Sequence, residues 1–275
     1  MNSRAAQDVI LRLLADGPFR RAAKEGAEEF DAKARAIVAR VDFDGLDRFG
    51  RFLCRHYYRE RVVHYFKYAR ALTPITGRAP EAALKSGEFN ALLPGLILGE
   101  RQSAERVLAL VERHLMDPAD SIRAVIPYWN DLVTYQGFFF LSDTLPADAV
   151  PRRFPSLAPT ARLVDFAWDL PAVLPALLRP FQELPLPPQK PVRLLFARSA
   201  QGEVTVLRCP DSLQNLLEGL SGRDDPREVA QRIGLDAGTL EQTLRRLQDL
   251  GALVAQEAFS SSHVASAIPQ AGGAE

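Results

Sequence analysis

Residues 192–257 narrow the possible folds more than any other part of this chain. Residues 192–199 and 203–209 each alternate apolar with polar side chains, and Ala200, Gln201 and Gly202 turn between them. Three helix starts follow at once. Asp211 with Gln214 three residues later resembles a capping box, ahead of a stripe of Leu213, Leu216, Leu217 and Leu220. Asp225, Pro226 and Glu228 repeat the device with a proline at the first helical position; that helix buries Val229 and Ile233 and stops at Gly234. Asp236 caps a third helix, with Leu240, Leu244, Leu247 and Leu250 on one face and Gly251 at its end. The leucines read as core.

Residues 162–168 add a further strand, with Val164, Phe166 and Trp168 on one face. The expected arrangement is a small winged-helix-like β-sheet followed by three helices. An accessible strand edge beside a helix can bind an extended peptide by adding it as another strand. The same elements also describe a DNA reader, whose third helix would expose Glu241, Gln242, Arg245, Arg246, Gln248 and Asp249. Acidic residues at both ends of that surface oppose phosphate. Lys plus Arg equals Asp plus Glu at 34 each, so the basic excess of a nucleic-acid binder is missing as well. Peptide binding is the first reading, and a transcriptional regulator with a helical sensor domain is the alternative.

Residues 1–145 read as an all-α helical bundle, so the fold class is α+β. Helices are expected at 2–16, 20–40, 46–72, 80–86, 87–98 and 103–116, then from an N-cap at Asp120 to 141, with Asp117 and Pro118 breaking the pattern. Four prolines within 146–160 mark a linker. The small domain covers 161–258, including a short helix at 170–178, and the Ser-, Ala- and Gly-rich tail at 259–275 reads as disordered.

Candidate chemistry is sparse. Cys54 and Cys209 are too far apart in sequence for a CxxC site. His56 and His64 share a helix but stand about 12 Å apart along its axis, too far to chelate one ion together; His114 and His263 have no carboxylate–histidine motif nearby. No metal-binding histidine motif, phosphate-cradling glycine loop or nucleophile elbow occurs. The helix at 46–72 is rich in aromatic residues. Its Arg48, Arg51, Arg55 and Arg59 lie within an arc of about 80°, a stripe that can dock an acidic surface or simply be solvated. No signal-like segment opens the chain and no run approaches ~18 apolar residues, so the expected location is cytoplasmic, away from membranes.

Two resemblances extend this reading. The runs LQNLLEGL at 213–220, REVAQRI at 227–233 and LRRLQDLGALV at 244–254 resemble the recognition elements that bind leader segments of ribosomally synthesised, post-translationally modified precursor peptides. The resemblance implies that a leader lies between residues 203–208 and 238–250. Thr205, Arg208, Glu241, Gln242, Arg245 and Gln248 would then be the peptide-binding residues. The runs RHYYRER at 55–61, KYARAL at 67–72, IPYWNDL at 126–132 and GFFF at 137–140 resemble partner subunits of multinuclear non-haem iron-dependent oxidases, a likeness spanning roughly 46–257. That family implies a non-catalytic accessory subunit in a heterodimer. It has no cofactor or metal of its own, iron sits in the oxidase subunit, and a precursor cysteine is rewritten. Excision of a β-carbon, as in 3-thiaglutamate formation, fits the chain length better than oxazolone–thioamide formation. Arg48, Arg51, Arg55 and Arg59 are the expected docking residues for the oxidase.

Overall fold

The computed structural model describes residues 3–26, 30, 32–116, 121–144, 153–181 and 183–254, and it is a mixed α+β protein, mostly helical with a small sheet. Helices α1 (Ser3–Ala15) and α2 (Gly17–Glu25) meet at Asp16, whose carboxylate accepts the Phe19 N–H at 2.8 Å. That cap starts α2 at Gly17, with Pro18 in its first turn, three residues before the expected position. Gly26, at φ +71°, ends α2, so 20–40 is not one helix; α3 covers Ala32–Val38.

The long helix α4 runs Phe43–Tyr65 and was expected to reach 72. A buried glutamine from elsewhere in the chain helps to break it. Gln136 Oε1 accepts the N–H groups of Tyr68 (2.9 Å) and Ala69 (3.2 Å). These donors therefore have a partner outside the helix, and the chain restarts as α5 (Lys67–Ala71) and α6 (Thr73–Thr76). A 3-10 turn spans Pro80–Lys85, followed by α7 (Gly87–Leu92) and α8 (Arg101–Leu115). The expected helix at 87–98 is cut short near Pro94, which has no N–H to continue the ladder. Pro127 similarly separates α9 (Ser121–Val125) from α10 (Trp129–Ser142). The expected cap at Asp120 and the break at Asp117 and Pro118 lie outside the described residues.

Strand β1 is Ser156–Leu157 and β2 is Arg162–Phe166; α11 (Leu174–Leu177) follows a 3-10 turn. Then come β3 (Val192–Arg198), β4 (Val204–Arg208), α12 (Asp211–Gly219), α13 (Pro226–Arg232), α14 (Ala237–Asp249) and β5 (Leu253–Val254). One sheet has the order β2-β3-β4, all antiparallel, and β1 pairs with β5. Part of the stretch expected as a linker is therefore strand: Ser156 pairs with Val254, and Ala158 N–H donates to Ala252 O at 2.8 Å. Residues 146–152 and 259–275 lie outside the described residues.

The capping box expected at Asp211 does not form. Pro210 is the N-cap and Asp211 sits inside the first turn, where its charge still suits the helix dipole. Asp225 and Asp236 cap as expected, accepting from the N–H groups of Arg227 (2.8 Å) and Thr239 (2.9 Å).

Packing explains why β3 is apolar on both sides. Leu194, Leu195, Phe196 and Ala197 are all buried in succession. Leu194 and Phe196 belong with Phe166, Val164 and Val206 to the core of the helical half, where Phe196 meets Tyr135, Phe138 and Phe139 of α10 at ring distances of 5.4–5.7 Å. Leu195 and Ala197 belong with Leu163 and Leu207 to a second core, made with Leu216, Val229, Leu240 and Leu247. One sheet thus separates two cores, a burial more usual for central strands of layered α/β folds. Polar ties reinforce the helical side. Asp131 accepts the N–H groups of Ala167 (2.8 Å) and Trp168 (3.1 Å), and the Tyr128 hydroxyl donates to Pro185 O at 2.7 Å.

Candidate peptide-binding edge and docking face

The hairpin joining β3 to β4 sets which backbone groups are free. Ser199 N–H donates to Glu203 O at 2.8 Å, and Gly202 (φ +90°) closes the turn by donating to Ser199 O at 2.9 Å. At the other end, Cys209 N–H donates to Arg193 O at 2.8 Å. Both contacts join hydrogen-bonded pairs, so the same parity holds between: Thr205 and Leu207 bond Ala197 and Leu195. Val204, Val206 and Arg208 consequently turn their N–H and C=O groups away from β3. Among the described residues no strand pairs with that side of β4.

The side chains divide by the same alternation. Thr205 and Leu207 face the second core, the one made with α12, α13 and α14. Arg208 is on the opposite face of the sheet, exposed, and its guanidinium donates to Asp169 Oδ1 at 2.7 Å. On α14, Leu240 and Leu247 are buried, while Glu241, Gln242, Arg245 and Gln248 are exposed. Arg245 donates to Glu241 Oε1 at 3.0 Å. Arg208 is therefore not brought together with the α14 residues, whereas Thr205 shares their side of the sheet. Half-buried Leu207 on β4 and Leu244 on α14 pack at the rim of the same core. The sequence reading did not name Leu207 or Leu244 as peptide-binding residues, nor the outward peptide groups of Val204 and Val206. The three-residue turn ending in Gly202 carries the missing signal, because it fixes the register and hence the parity.

The helix that would form the far wall is firmly anchored. Hydrogen bonds from Thr239 hold the Asp236 carboxyl below its ordinary range. Across the sheet face, Arg193 bridges Asp165 of β2 and Glu218 of α12; the guanidinium lowers the Asp165 carboxyl. Both cysteines are free and buried, and desolvation pushes the Cys54 thiol up to about 12 and the Cys209 thiol upward, so both stay protonated at neutral pH.

Arg48, Arg51, Arg55 and Arg59 of α4 are all exposed, whereas Arg61 of the same helix is buried. Arg51 pairs with Asp47 at 2.8 Å and Arg55 donates to Asn90 at 2.6 Å. Among the described residues neither Arg48 nor Arg59 forms an ion pair. Beside them runs an exposed aromatic row in which Phe49 stacks on Phe52 and Phe52 on His56, each at 6.3 Å. Among the described residues no group of three or more His, Cys, Asp or Glu side chains is placed to hold a metal ion, and no helix is long and apolar enough to cross a membrane. No protein-family model matches this chain, and no curated protein matches it.

Proposed function

We propose that this chain is a non-catalytic accessory subunit that holds the leader of a ribosomally made precursor peptide and presents its cysteine to a partner iron-dependent oxidase. The small sheet and α12–α14 act as a winged-helix recognition element, and the helical half docks the oxidase through the α4 arginines. Iron belongs to the partner, and the heterodimer works in the cytoplasm on 3-thiaglutamate-type β-carbon excision. One observation carries the reading: the outward row of peptide groups at Val204, Val206 and Arg208, which is unpaired among the described residues, on a strand whose half-buried Leu207 packs against the same core as Leu244 of α14. A guest strand would bond that row without sequence preference, and its side chains facing α14 would supply selectivity. A DNA-reading role for α14 is less well supported, because Glu241 already neutralises Arg245 on the exposed face.

Co-expression with the neighbouring genes, a pull-down for any short cysteine-containing peptide, and calorimetric titration of the peptide so captured test this. Val206→Pro removes an outward N–H and no bond to β3, at the cost of some Val206 packing against the helical half; circular dichroism should show the fold retained while binding is lost. Leu207→Pro instead removes a bond to β3 and destabilises the protein. Undiminished binding by a folded Val206→Pro protein would overturn the reading.

A further inference from the structure

A second surface lies on the helical half, remote in sequence from β4. Helices α2 and α4 enclose a cleft of about 850 Å³. Arg20, Arg21, Lys24, Arg48 and Arg51 line it, against the carboxylates of Glu25, Asp44 and Asp47. Five cations over three carboxylates leave an excess of two positive charges. Two glycines make the close approach of its walls possible. A Cβ on Gly50 would lie 2.7–2.9 Å from the Arg20 guanidinium, and one on Gly17 would lie 2.4 Å from Pro94 O.

The charges are not equivalent. Arg20 is buried and fully engaged: it donates to Leu13 O at 2.8 Å and Leu14 O at 3.3 Å, and pairs with Asp47 at 3.4 Å. Asp47 also holds Arg51, and Asp44 is taken by Lys24 at 2.8 Å. The cleft's own aspartates are thus already engaged. Arg21 and Arg48 form no ion pair among the described residues, and they supply the unbalanced charge. Arg48 also links the cleft to the aromatic row, since Phe52 stands four residues on along α4 and Arg55 three beyond that. Phe52 and Phe49 are 61% and 49% exposed, a costly display for phenyl rings unless something covers them.

We propose that the cleft and the adjoining Phe49–Phe52–His56 row dock an acidic segment of the partner subunit, one that also carries an apolar or aromatic anchor. The proposal rests on the reading of this chain as one subunit of a complex, and it names the chemistry of the surface that meets it. Charge complementarity selects the acidic segment: Arg21, which donates to Pro94 O at 3.4 Å, and Arg48, whose charge also bears on Asp44, form no ion pair among the described residues, and their guanidinium groups suit carboxylate contacts. The phenyl row accepts the anchor, and the surrounding arginines form the polar rim of such an interface.

The test uses the full chain and fluorescence anisotropy. One fluorescein-labelled probe alternates glutamate with leucine, and a second alternates lysine with leucine. The glutamate probe binds, its affinity falls as salt rises, and the lysine probe does not bind. The double variant Arg21→Glu/Arg48→Glu weakens the glutamate probe at least tenfold, and Phe52→Ser weakens it while leaving the charges in place. Arg245→Glu on α14 and Val206→Pro on β4 leave it unchanged. Absence of binding, equal binding of both probes, or undiminished binding by the double variant overturns the proposal. Equal weakening by Arg245→Glu does so as well. Loss of precursor binding in Val206→Pro concerns peptide presentation alone, so the two ideas fail separately.

Discussion

Gly251, at the end of α14, stands against the backbone of Arg198, at the end of β3: a Cβ on Gly251 would lie 1.9 Å from the Arg198 carbonyl oxygen. Its φ of +70° is also one that side-chain-bearing residues rarely adopt. The helix termination depends on it, since Gly251 N–H donates to Gln248 O and Ala252 N–H to Leu247 O, both at 2.8 Å. Gly251→Ala therefore meets strain and collision together. A loss on the order of 3 kcal/mol is expected from urea unfolding. A change below about 0.5 kcal/mol would contradict the close approach.

Phe196 and Leu195 are consecutive on β3, yet they serve different cores. Truncating either to alanine is expected to cost about 2–5 kcal/mol. Because the strand is common to both, each substitution should loosen both halves. Native-state hydrogen exchange reads this directly: protection should fall in α10 and in α14 for either variant. Loss confined to one half would show that the cores unfold independently.

Arg245→Glu is expected to leave the melting temperature within a few degrees of the parent. The Arg245–Glu241 pair is an exposed contact four residues apart, worth only about 0.3–0.5 kcal/mol. In the proposed function the same change places two like charges along the wall of the peptide groove, and precursor affinity should drop. Calorimetry on the purified variant checks both statements.

Glu112 gives a pH-dependent prediction. Burial raises its carboxyl above the ordinary value, and its place in the last turns of α8 sets it against the helix dipole. A carboxyl whose pKa is higher in the folded than in the unfolded protein favours folding while protonated. That contribution is complete below its ordinary pKa and is lost as pH rises through the folded value. Glu112→Gln should consequently melt higher than the parent at neutral pH, with the gain vanishing below about pH 4. An unchanged difference across that range would show that the carboxyl is not the cause.

Much of the small sheet and its three helices was legible, because turns, caps and leucine spacing act within a few residues of one another. Strands at 162–166, 192–198 and 204–208, the Asp225 and Asp236 caps, and the glycine stops at 234 and 251 are all local signals. The helical half was less legible wherever a remote residue intervened. Gln136 takes N–H groups at Tyr68 and Ala69 from 68 and 67 positions away, and no periodicity near residue 66 announces it. The elements proposed to flank a peptide, β4 and α14, were legible as elements, but which of their side chains share a face was not. Arg208 reads as outward along β4, yet the fold behind that strand gives it Asp169 as a partner on the other face. Apolar side chains nearly all round α4 point to a helix that is central or capped by a partner; in the fold Phe49 and Phe52 remain exposed beside the arginines.

A sheet clasped from both sides would have a mechanical meaning for the proposed accessory subunit. With Phe196 packed on α10 and Leu195 in the opposite core, one strand ties the edge that would grip a leader to the helices that would grip an oxidase. In the proposed function the span between those two grips would then be a fixed length, and the chain would work as a ruler. Which cysteine reaches the iron would be decided by how many residues separate it from the gripped segment, so inserting or deleting a few there should move the chemistry to a different position or stop it.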